Sequence, residues 1–331
     1  MMDKPLSGSS VLVTGAGGFI GTALVRRLHE LGAEVRAFLR YTSRAEMGLL
    51  KFLEPAVREG LELVFGDLRD HDAVEGAVDG INVVFHLGAL ISIPYSYIHP
   101  VEVVQSNVIG TLNVLQACRK SKSKLIHTST SEVYGTARQV PIDEGHPLQG
   151  QSPYSASKIG ADKLVESYYR AFGVQTVTVR PFNTYGPGQS ARAVIPTIIT
   201  QAITRDEIHL GNLAAKRDFT YLTDTVEGFV KAARDEGVAG ETFNLGYGDE
   251  VAIGELAEII IDLVGRDVKI VVDQERLRPE KSEVMRLLSD NTKARERLGW
   301  SPQVDIREGL SHTIAWIQDH LDLYRIGTYE R

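Results

Sequence analysis

The 331-residue sequence has only one cysteine, Cys118, and no apolar run that reaches the roughly 18 residues needed to cross a bilayer. A single cysteine cannot form an internal disulfide, and its position in the helical run NVLQACRK predicts a core thiol rather than a nucleophile. The opening MMDKPLSGSS leads directly into a strand-like segment instead of a signal-peptide core. We therefore expect a cytoplasmic protein that has no membrane partner.

The sequence also lacks clustered positive charge and metal-ligand spacing. Its 36 basic and 43 acidic residues give a net charge of −7 and are mixed along the chain, which argues against a nucleic-acid partner. No group of His, Cys or carboxylate residues has the spacing of a metal site, so we predict no bound metal. Basic residues are more suited here to a small anionic ligand.

The first half of the chain contains a regular alternation of strand and helix patterns. Apolar runs such as SVLVTG, EVRAFLR, NVVFHLGA and VQTVTVRP are separated by helical periodicity. This alternation predicts an α/β fold with a doubly wound parallel sheet of the Rossmann type. After about Arg180, segments rich in Pro and Gly predict a second, smaller C-terminal substrate lobe. We assign the dinucleotide-binding domain to 1–180 with return segments near 219–246, and mainly the substrate lobe to 181–218 and 247–331.

The stretch TGAGGFIG predicts a dinucleotide-binding loop. It places Gly15, Gly18 and Gly21 between a strand that ends at Thr14 and a helix that begins near Phe19. Glycines in this position permit a tight turn and let the backbone approach a pyrophosphate, which the helix N-terminus stabilises. The alternative is a plain strand-to-helix turn, but the strand before and the helix after favour the dinucleotide.

The end of the next strand bears on the choice between NAD and NADP. No acidic residue stands where NAD-binding proteins hold the ribose hydroxyls; the sequence offers Arg40 instead, followed by Ser43 and Arg44. A guanidinium there suits the 2′-phosphate of NADP, although Arg40 could equally be a solvated strand-end residue. Asp67 follows the third strand, where it could reach the adenine or cap the next helix.

The segment SPYSASK predicts a catalytic pair. Ser152 has the character of a helix N-cap and Pro153 that of a first helical residue, so we expect a helix running to about Phe172. The spacing of four puts Tyr154 and Lys158 on one face. An ammonium beside a phenol favours the phenolate, which would supply a base for removing a hydroxyl proton during hydride transfer.

TGAGGFIG, HLGA at 86–89, Asn107, the hydroxyl-rich run 128–131 and YSASK together resemble the extended short-chain dehydrogenase/reductase family, NAD(P)-dependent enzymes that act on nucleotide sugars. The match covers nearly the whole chain. The resemblance implies that Thr130 hydrogen-bonds the reacting hydroxyl and that Asn107 orders the lysine through water. The alternatives are a strand-end hydroxyl bonded to backbone for Thr130 and a helix cap for Asn107. The predicted cofactor-binding residues are Gly15, Gly18, Phe19, Ile20, Gly21, Arg40, Asp67, Leu68, Leu87, Ala89, Tyr154 and Lys158.

Within this family, the run Thr130-Ser131-Glu132 resembles that of 4,6-dehydratases, whereas 4-epimerases usually lack the glutamate. Once a C4 hydroxyl is oxidised to a ketone, the C5 hydrogen is acidic and Glu132 could remove it. Serine is a poor acid, so Glu132 rather than Ser131 would then protonate the departing C6 hydroxyl. The alternative is a solvent-facing glutamate at a sheet edge. The predicted catalytic residues are Thr130, Ser131, Glu132, Tyr154, Lys158 and Asn107.

The substrate prediction also depends on resemblance. Asn183 in PFNTYG and Arg217 in KRDFTYLTD match substrate-side motifs, and Arg278 is a weaker candidate for the diphosphate; a turn, a salt bridge and a surface position are the respective alternatives. Longer stretches are most similar to the N-acetylglucosamine nucleotide 4,6-dehydratases of legionaminic acid biosynthesis, which implies GDP- or UDP-GlcNAc. UDP-glucuronate decarboxylase, 4-epimerase and a non-catalytic dinucleotide-sensing module stay open. By analogy we expect a homodimer that packs helices near 107–120 and 153–172.

Overall fold

The computed structural model describes residues 6–276 and 284–324. Seven parallel strands form the main sheet in the order β11-β6-β5-β4-β1-β2-β3, and the other strands form three small sheets. The strands are β1 (Ser10–Thr14), β2 (Glu34–Arg40), β3 (Glu62–Gly66), β4 (Val83–His86), β5 (Lys124–Thr128), β6 (Thr176–Pro181), β7 (Asn183–Tyr185), β8 (Glu207–Leu210), β9 (Lys216–Arg217), β10 (Phe219–Tyr221), β11 (Thr242–Leu245), β12 (Val251–Ala252), β13 (Lys269–Val272) and β14 (Arg286–Leu287).

Helices lie on both faces of this sheet and around the small sheets. They are α1 (Phe19–Glu30), α2 (Pro55–Glu59), α3 (His71–Val78), α4 (Ile93–Ile98), α5 (Pro100–Val104), α6 (Gly110–Ser121), α7 (Pro153–Phe172), α8 (Val194–Thr204), α9 (Leu222–Arg234), α10 (Ile253–Val264), α11 (Thr292–Leu298) and α12 (Ile306–Asp319). A π-helical turn, Gln105–Ile109, joins α5 to α6. The predicted doubly wound α/β fold is confirmed.

Two apolar cores fix the faces of the sheet. On one face α1, α9 and α11 pack against the strands around residues such as Leu24 and Phe229. On the other face α3, α6 and α7 pack together and enclose Cys118. Burial raises the pKa of the Cys118 thiol to about 12, so a core thiol is confirmed. No helix among the described residues is long and apolar enough to cross a membrane.

A further core lies in the C-terminal half. Helices α8, α10 and α12 surround Ile198, Ile199, Leu256 and Ile260, and the short strands β8 and β13 lie beside them. The segment from α9 to β11 returns to the main sheet, where β11 pairs with β6. Helix α11 and Trp300 also join the core of the main sheet, although they are late in the chain.

Candidate active site

The glycine loop lies at the carboxyl end of β1. Gly15 has φ +71°, and a Cβ on it would lie 2.8 Å from the backbone nitrogen of Gly88. At Gly21 the carbonyl oxygen of Gly15 leaves no room for a Cβ, which holds α1 against the strand. Gly18 is the N-cap of α1, and the helix begins with neither a side-chain cap nor an acidic residue in its first turn. The N-terminal backbone N–H groups of α1 are therefore not capped by a side chain, and the glycine loop leads directly into them. This arrangement suits the binding of a pyrophosphate.

The other predicted cofactor-binding residues surround this loop. Phe19 and Ile20 form the first turn of α1 and are half-buried. Leu68 follows β3, and Leu87 and Ala89 follow β4, each half-buried. All five therefore lie near the carboxyl ends of the strands, the edge where open α/β sheets bind ligands.

Arg40 and Asp67 lie at the two strands beyond β1. Arg40 ends β2 with 65% of its side chain exposed, and its Nη2 is 3.7 Å from an oxygen of Glu102. Asp67 accepts hydrogen bonds from the backbone and guanidinium of Arg69, and those bonds lower the pKa of its carboxyl. Asp70, not Asp67, caps α3. The helix-capping alternative for Asp67 is wrong, because the chain makes one more turn before α3 begins.

Helix α7 presents the tyrosine and the lysine as predicted. Ser152 caps it in a reciprocal pair of hydrogen bonds with Ser155, proline is its first residue, and it ends at Phe172. Tyr154 and Lys158 are both buried. The Lys158 Nζ donates to the carbonyl of Thr128 at 2.6 Å, so the ammonium ties helix α7 to the end of β5.

We expected the Lys158 ammonium to lower the pKa of Tyr154, but the pKa of Tyr154 is raised in the protein without cofactor. Burial raises the pKa of Tyr154, a hydrogen bond with Thr130 opposes this, and the charges of Glu132 and Asp162 raise the pKa further. Burial lowers the pKa of Lys158 to about 8, and only the charge of Asp162 opposes that. In the protein by itself Tyr154 is therefore a phenol at neutral pH, since desolvation disfavours the phenolate.

Thr130 and Glu132 lie in a short turn after β5. Thr130 caps the 3-10 turn Ser131–Tyr134 by accepting from the Glu132 backbone N–H at 3.2 Å, and its hydroxyl acts on Tyr154 to lower the pKa of the phenol. Ser131 is buried in the same turn. The Glu132 side chain is half-buried, and no described residue forms a hydrogen bond or ion pair with its carboxylate. The turn thus holds a carboxylate near Tyr154 without neutralising it.

Asn107 lies in the π-helical turn, fully buried. Its amide accepts from the Leu90 N–H at 2.8 Å and donates to the Leu90 carbonyl and to Ser157 Oγ, both at 2.9 Å. Ser157 precedes Lys158 on α7. The helix-cap alternative for Asn107 is wrong; the residue fixes the backbone beside the lysine, and a π-turn re-aims a side chain in a way that no sequence period predicts.

The predicted substrate-side residues lie on the small sheets. Asn183 begins β7 and donates its side-chain amide to the Asp218 carbonyl at 3.1 Å. Arg217 is buried in β9 and donates to the Lys216 carbonyl at 2.9 Å. The Asp218 carboxylate is taken up by three backbone N–H groups. Arg278 falls within 277–283, outside the described residues, so its predicted role rests on the sequence.

Sequence reasoning missed Asp162. This carboxylate is one helical turn beyond Lys158 on α7 and accepts hydrogen bonds from Ser129 Oγ at 2.9 Å and from Arg180 Nη2 at 2.9 Å. His127 Nε2 is 3.2 Å from its other oxygen. The i, i+4 spacing from Lys158 was a signal that could have found it, but the partners come from β5 and β6.

His86 also lies under the site. Its ring nitrogens contact the hydroxyls of Thr14 at 2.8 Å and of Thr111 at 3.1 Å. Burial lowers the pKa of His86 well below its usual value, and it stays neutral. The prediction of a satisfied buried histidine rather than a base is confirmed. Among the described residues no cluster could hold a metal ion.

The chain is similar to known proteins that act on nucleotide sugars. The family model described as GDP-mannose 4,6 dehydratase matches residues 12–313. A UDP-glucose 4-epimerase of Mycolicibacterium smegmatis is 33% identical over 93% of this chain and 98% of its own. UDP-glucuronic acid decarboxylase 4 of Arabidopsis thaliana is 32% identical over 91% of this chain and 66% of its own length.

A solved structure resembles the chain equally well. The dTDP-glucose 4,6-dehydratase DesIV of Streptomyces venezuelae, solved with NAD bound, has a TM-score of 0.84 and 29% identity, and the match covers 96% of this chain and 99% of that one. Three relatives thus carry three different activities at similar identity. Identity alone does not choose among them, and the choice depends on the side chains of the site.

Proposed function

Because the chain belongs to the GDP-mannose 4,6-dehydratase family of NAD-dependent nucleotide-sugar dehydratases and epimerases, we propose that it is a nucleotide-sugar 4,6-dehydratase. Such an enzyme forms a 4-keto-6-deoxy sugar by internal hydride transfer. The observation that carries the proposal is Glu132, a half-buried carboxylate with no partner among the described residues, which lies in the turn that Thr130 caps and whose charge acts on Tyr154. A 4-epimerase has no use for this group.

The chain's residues divide the proton transfers of the reaction. Tyr154 takes the C4 hydroxyl proton while Thr130 holds that oxygen, and Lys158 keeps a positive charge close to the phenol. Glu132 then removes the C5 proton, which the adjacent ketone has made acidic. The same proton leaves with the C6 hydroxyl as water, so Glu132 is again a carboxylate and Ser131 need not act as an acid. Once C6 is reduced, C5 would take up one proton from solvent, and Tyr154 would release the C4 hydroxyl proton to solvent.

The family uses NAD(P) as cofactor, and the loop at Gly15 and the open N-terminus of α1 at Gly18 would hold its pyrophosphate. When bound, the oxidised cofactor supplies the acceptor and later the donor of the hydride, together with a positive charge that would lower the pKa of Tyr154. The exposed Arg40, with Ser43 and Arg44 beside it, favours NADP over NAD.

The finer substrate assignment is GDP- or UDP-N-acetylglucosamine. It is supported by the sequence resemblance to the dehydratases of legionaminic acid biosynthesis, with Asn183 and Arg217 toward the diphosphate. Arg278 is assigned to the diphosphate by its motif alone. The sugar and the nucleotide are what the first experiment decides.

The test is to incubate the purified protein with NAD or NADP and, in parallel, GDP-GlcNAc, UDP-GlcNAc, GDP-mannose, dTDP-glucose and UDP-glucuronate, and to follow product masses. Loss of one water from a sugar nucleotide establishes the dehydratase and identifies the substrate. Loss of carbon dioxide from UDP-glucuronate would make it a decarboxylase. An unchanged mass with an inverted C4, seen by chromatography, would make it an epimerase, and no product at all would favour a sensing module.

The Glu132→Gln variant tests the assigned role. We expect dehydratase turnover to fall by about 10² to 10⁴, the usual contribution of a general acid or base. Oxidation at C4 should survive, so reduced-nicotinamide absorbance should accumulate while solvent deuterium no longer enters C5. Glu59→Gln, on an exposed residue at the end of α2, is the matched control and should keep wild-type turnover. Near-normal product formation by Glu132→Gln would contradict the mechanism.

We further propose a homodimer formed through helices near 107–120 and 153–172. Exposed apolar side chains on and beside these helices support it, because apolar side chains are enriched at subunit interfaces. These residues are Tyr97, Ile98, Val101, Val104, Ile109, Tyr169 and Phe172. Light scattering after size-exclusion chromatography should give twice the chain mass; the mass of one chain would overturn this proposal.

A further inference from the structure

A buried network of polar side chains lies one helical turn below Lys158. Asp162 is its centre: one oxygen faces His127 Nε2 at 3.2 Å, and the other accepts from Ser129 Oγ at 2.9 Å and from Arg180 Nε and Nη2 at 3.2 and 2.9 Å. Arg180 continues to the Tyr134 hydroxyl at 2.9 Å. Every one of these residues is buried, so the network is an organised part of the core.

The network and the catalytic residues share the same pieces of chain. Ser129, which donates to Asp162, lies between Thr128, whose carbonyl accepts from Lys158, and Thr130, whose hydroxyl lowers the pKa of Tyr154. A displacement of Ser129 would therefore move both the lysine's acceptor and the tyrosine's partner. Asp162 is thus joined to the lysine through helix α7 and through the end of β5.

We propose that Asp162 is a positioning residue for the reaction, which acts through Lys158: its buried carboxylate keeps the lysine ammonium charged and fixes the strand end that carries Thr130 and Glu132. This inference rests on the proposed function for its catalytic meaning. Its electrostatic part concerns the protein alone.

The groups that face Lys158 come from every element around it. Tyr154 and Asp162 share its helix, His127 is on β5, and His86 is on β4. Both histidines are neutral, since burial lowers the pKa of His127 to about 4 and that of His86 well below its usual value. His127 therefore carries its proton on Nε2 to reach the carboxylate, because a carboxylate only accepts.

The remaining groups around Lys158 are charged. Burial alone would raise the pKa of Asp162, but the His127 hydrogen bond and the charges of Arg180 and Lys158 lower it to about 2. Glu132 is at the open side of the site, where its charge acts on Tyr154. Asp162 is therefore the anion that opposes the loss of the Lys158 proton. Arg180 is a second cation that interacts with the same carboxylate.

The experiment follows the Lys158 charge directly. Protein carrying ¹³Cε-lysine is titrated by NMR without substrate or cofactor, and the Lys158 resonance is identified by its absence in Lys158→Met. We expect a wild-type Lys158 midpoint at about pH 8, because burial lowers the pKa of this lysine. Asp162→Asn should lower that midpoint by about one unit or more. Glu166→Gln, which removes a partly exposed carboxylate from the same helix, is the matched control and should leave the midpoint in place.

A second variant has the opposite sign. Arg180→Gln leaves Asp162 ionised, with Ser129 and His127 still bonded to it, and should raise the Lys158 midpoint. General damage to the fold would move both variants the same way. If Asp162→Asn does not fold, as judged by circular dichroism, Arg180→Gln decides alone. An unchanged or lowered midpoint in Arg180→Gln, or an unchanged midpoint in folded Asp162→Asn, would overturn the proposal.

The catalytic part has its own readout. Turnover that needs the ammonium declines above the Lys158 midpoint, so the alkaline limb of the kcat profile should move to lower pH in Asp162→Asn and to higher pH in Arg180→Gln. A loss of kcat of equal size at every pH would mean a structural role only. If the wild-type protein converts no sugar nucleotide, the proposed function fails, while the NMR titration still decides the electrostatic inference.

Discussion

Asp162 and Asp218 are both buried carboxylates, but the first lies beside the main sheet and the second among the small strands, and they have opposite kinds of partner. Asp162, under the main sheet, faces the cationic Arg180, neutral His127 and the Ser129 hydroxyl. Asp218, between the small strands β9 and β10, is bound by the backbone N–H groups of Tyr247, Gly248 and Ser289 at 2.7, 3.0 and 3.1 Å.

The difference in partners determines whether each carboxyl is stabilised in its charged or its protonated form. Around Asp162 the charges and hydrogen bonds outweigh burial and lower the pKa to about 2. Around Asp218 burial outweighs the amide donors and raises the pKa to about 6. Neutral backbone donors therefore do not replace a cation in a dry site, because they compensate less of the lost hydration. Asp162, beside the proposed catalytic residues, therefore stays charged at neutral pH, while Asp218 titrates near pH 6.

The largest expected effect breaks the charged arrangement. Asp162→Asn leaves Arg180 buried without its carboxylate and should lower the free energy of unfolding by about 3 to 5 kcal/mol, measured by urea denaturation at pH 7. The double variant Asp162→Asn/Arg180→Gln removes both charges and should recover part of that loss. If the double variant lost, relative to wild type, the sum of the losses measured for Asp162→Asn and Arg180→Gln alone, the pair would not act as a unit.

A smaller effect is expected for the amide-held carboxylate. Asp218→Asn puts an NH₂ group where one oxygen accepted, so at least one backbone N–H loses its partner, and we expect a loss of about 1 to 3 kcal/mol at pH 7. The cost is reduced because the variant also removes a poorly compensated charge. A loss that matched or exceeded that of Asp162→Asn in the same urea series would contradict the comparison.

The pH dependence should separate the two sites. The folded pKa of Asp218, about 6, lies above its ordinary value, so its contribution to stability is fully present below about pH 4 and is lost as pH rises through 6. The difference in unfolding free energy between wild type and Asp218→Asn should thus grow by on the order of 1 kcal/mol from pH 7 to pH 4.5. Since the pKa of Asp162 is lowered to about 2, its contribution is fully present above about pH 4 and is lost as pH falls from there through 2. The difference in unfolding free energy between wild type and Asp162→Asn should therefore stay level from about pH 7 to pH 4.5.

The smallest effect is expected for the third carboxylate. Glu132 is half-buried and has no hydrogen-bond or ion-pair partner among the described residues, so Glu132→Gln should change the free energy of unfolding by no more than about 0.5 kcal/mol. The same variant is expected to stop elimination. Glu132 would then have a catalytic role without a structural one, in contrast to the buried Asp162 and Asp218. A destabilisation above 2 kcal/mol would instead mean that Glu132 has a structural role.

Local rules were enough for much of the site. The glycine loop between β1 and α1, the Ser152 cap and the Pro153 start of α7 follow from backbone requirements that a few neighbouring residues satisfy. The face shared by Tyr154 and Lys158 follows from helical periodicity. The doubly wound sheet follows from the alternation of short apolar strands with helices, so the fold class needed no long-range information.

Other predictions failed or were absent because they depend on distant partners. Asp67 was a possible helix cap by sequence, yet Asp70 caps α3. Asn107 was a possible cap, yet a π-helical turn directs it to Leu90 and Ser157. Asp162 was not predicted at all, since its hydrogen-bonding partners come from β5 and β6, up to 35 residues away along the chain.

The sequence by itself determined which residue types line the site, because turn, cap and helix geometry act over a few residues. Only the tertiary structure decided their charge states. Spacing suggested that Lys158 makes Tyr154 a phenolate, but burial raises the pKa of Tyr154 and lowers that of Lys158, while Asp162 opposes the second shift. Desolvation and the distance between charges depend on packing in three dimensions, which no local pattern in the chain encodes.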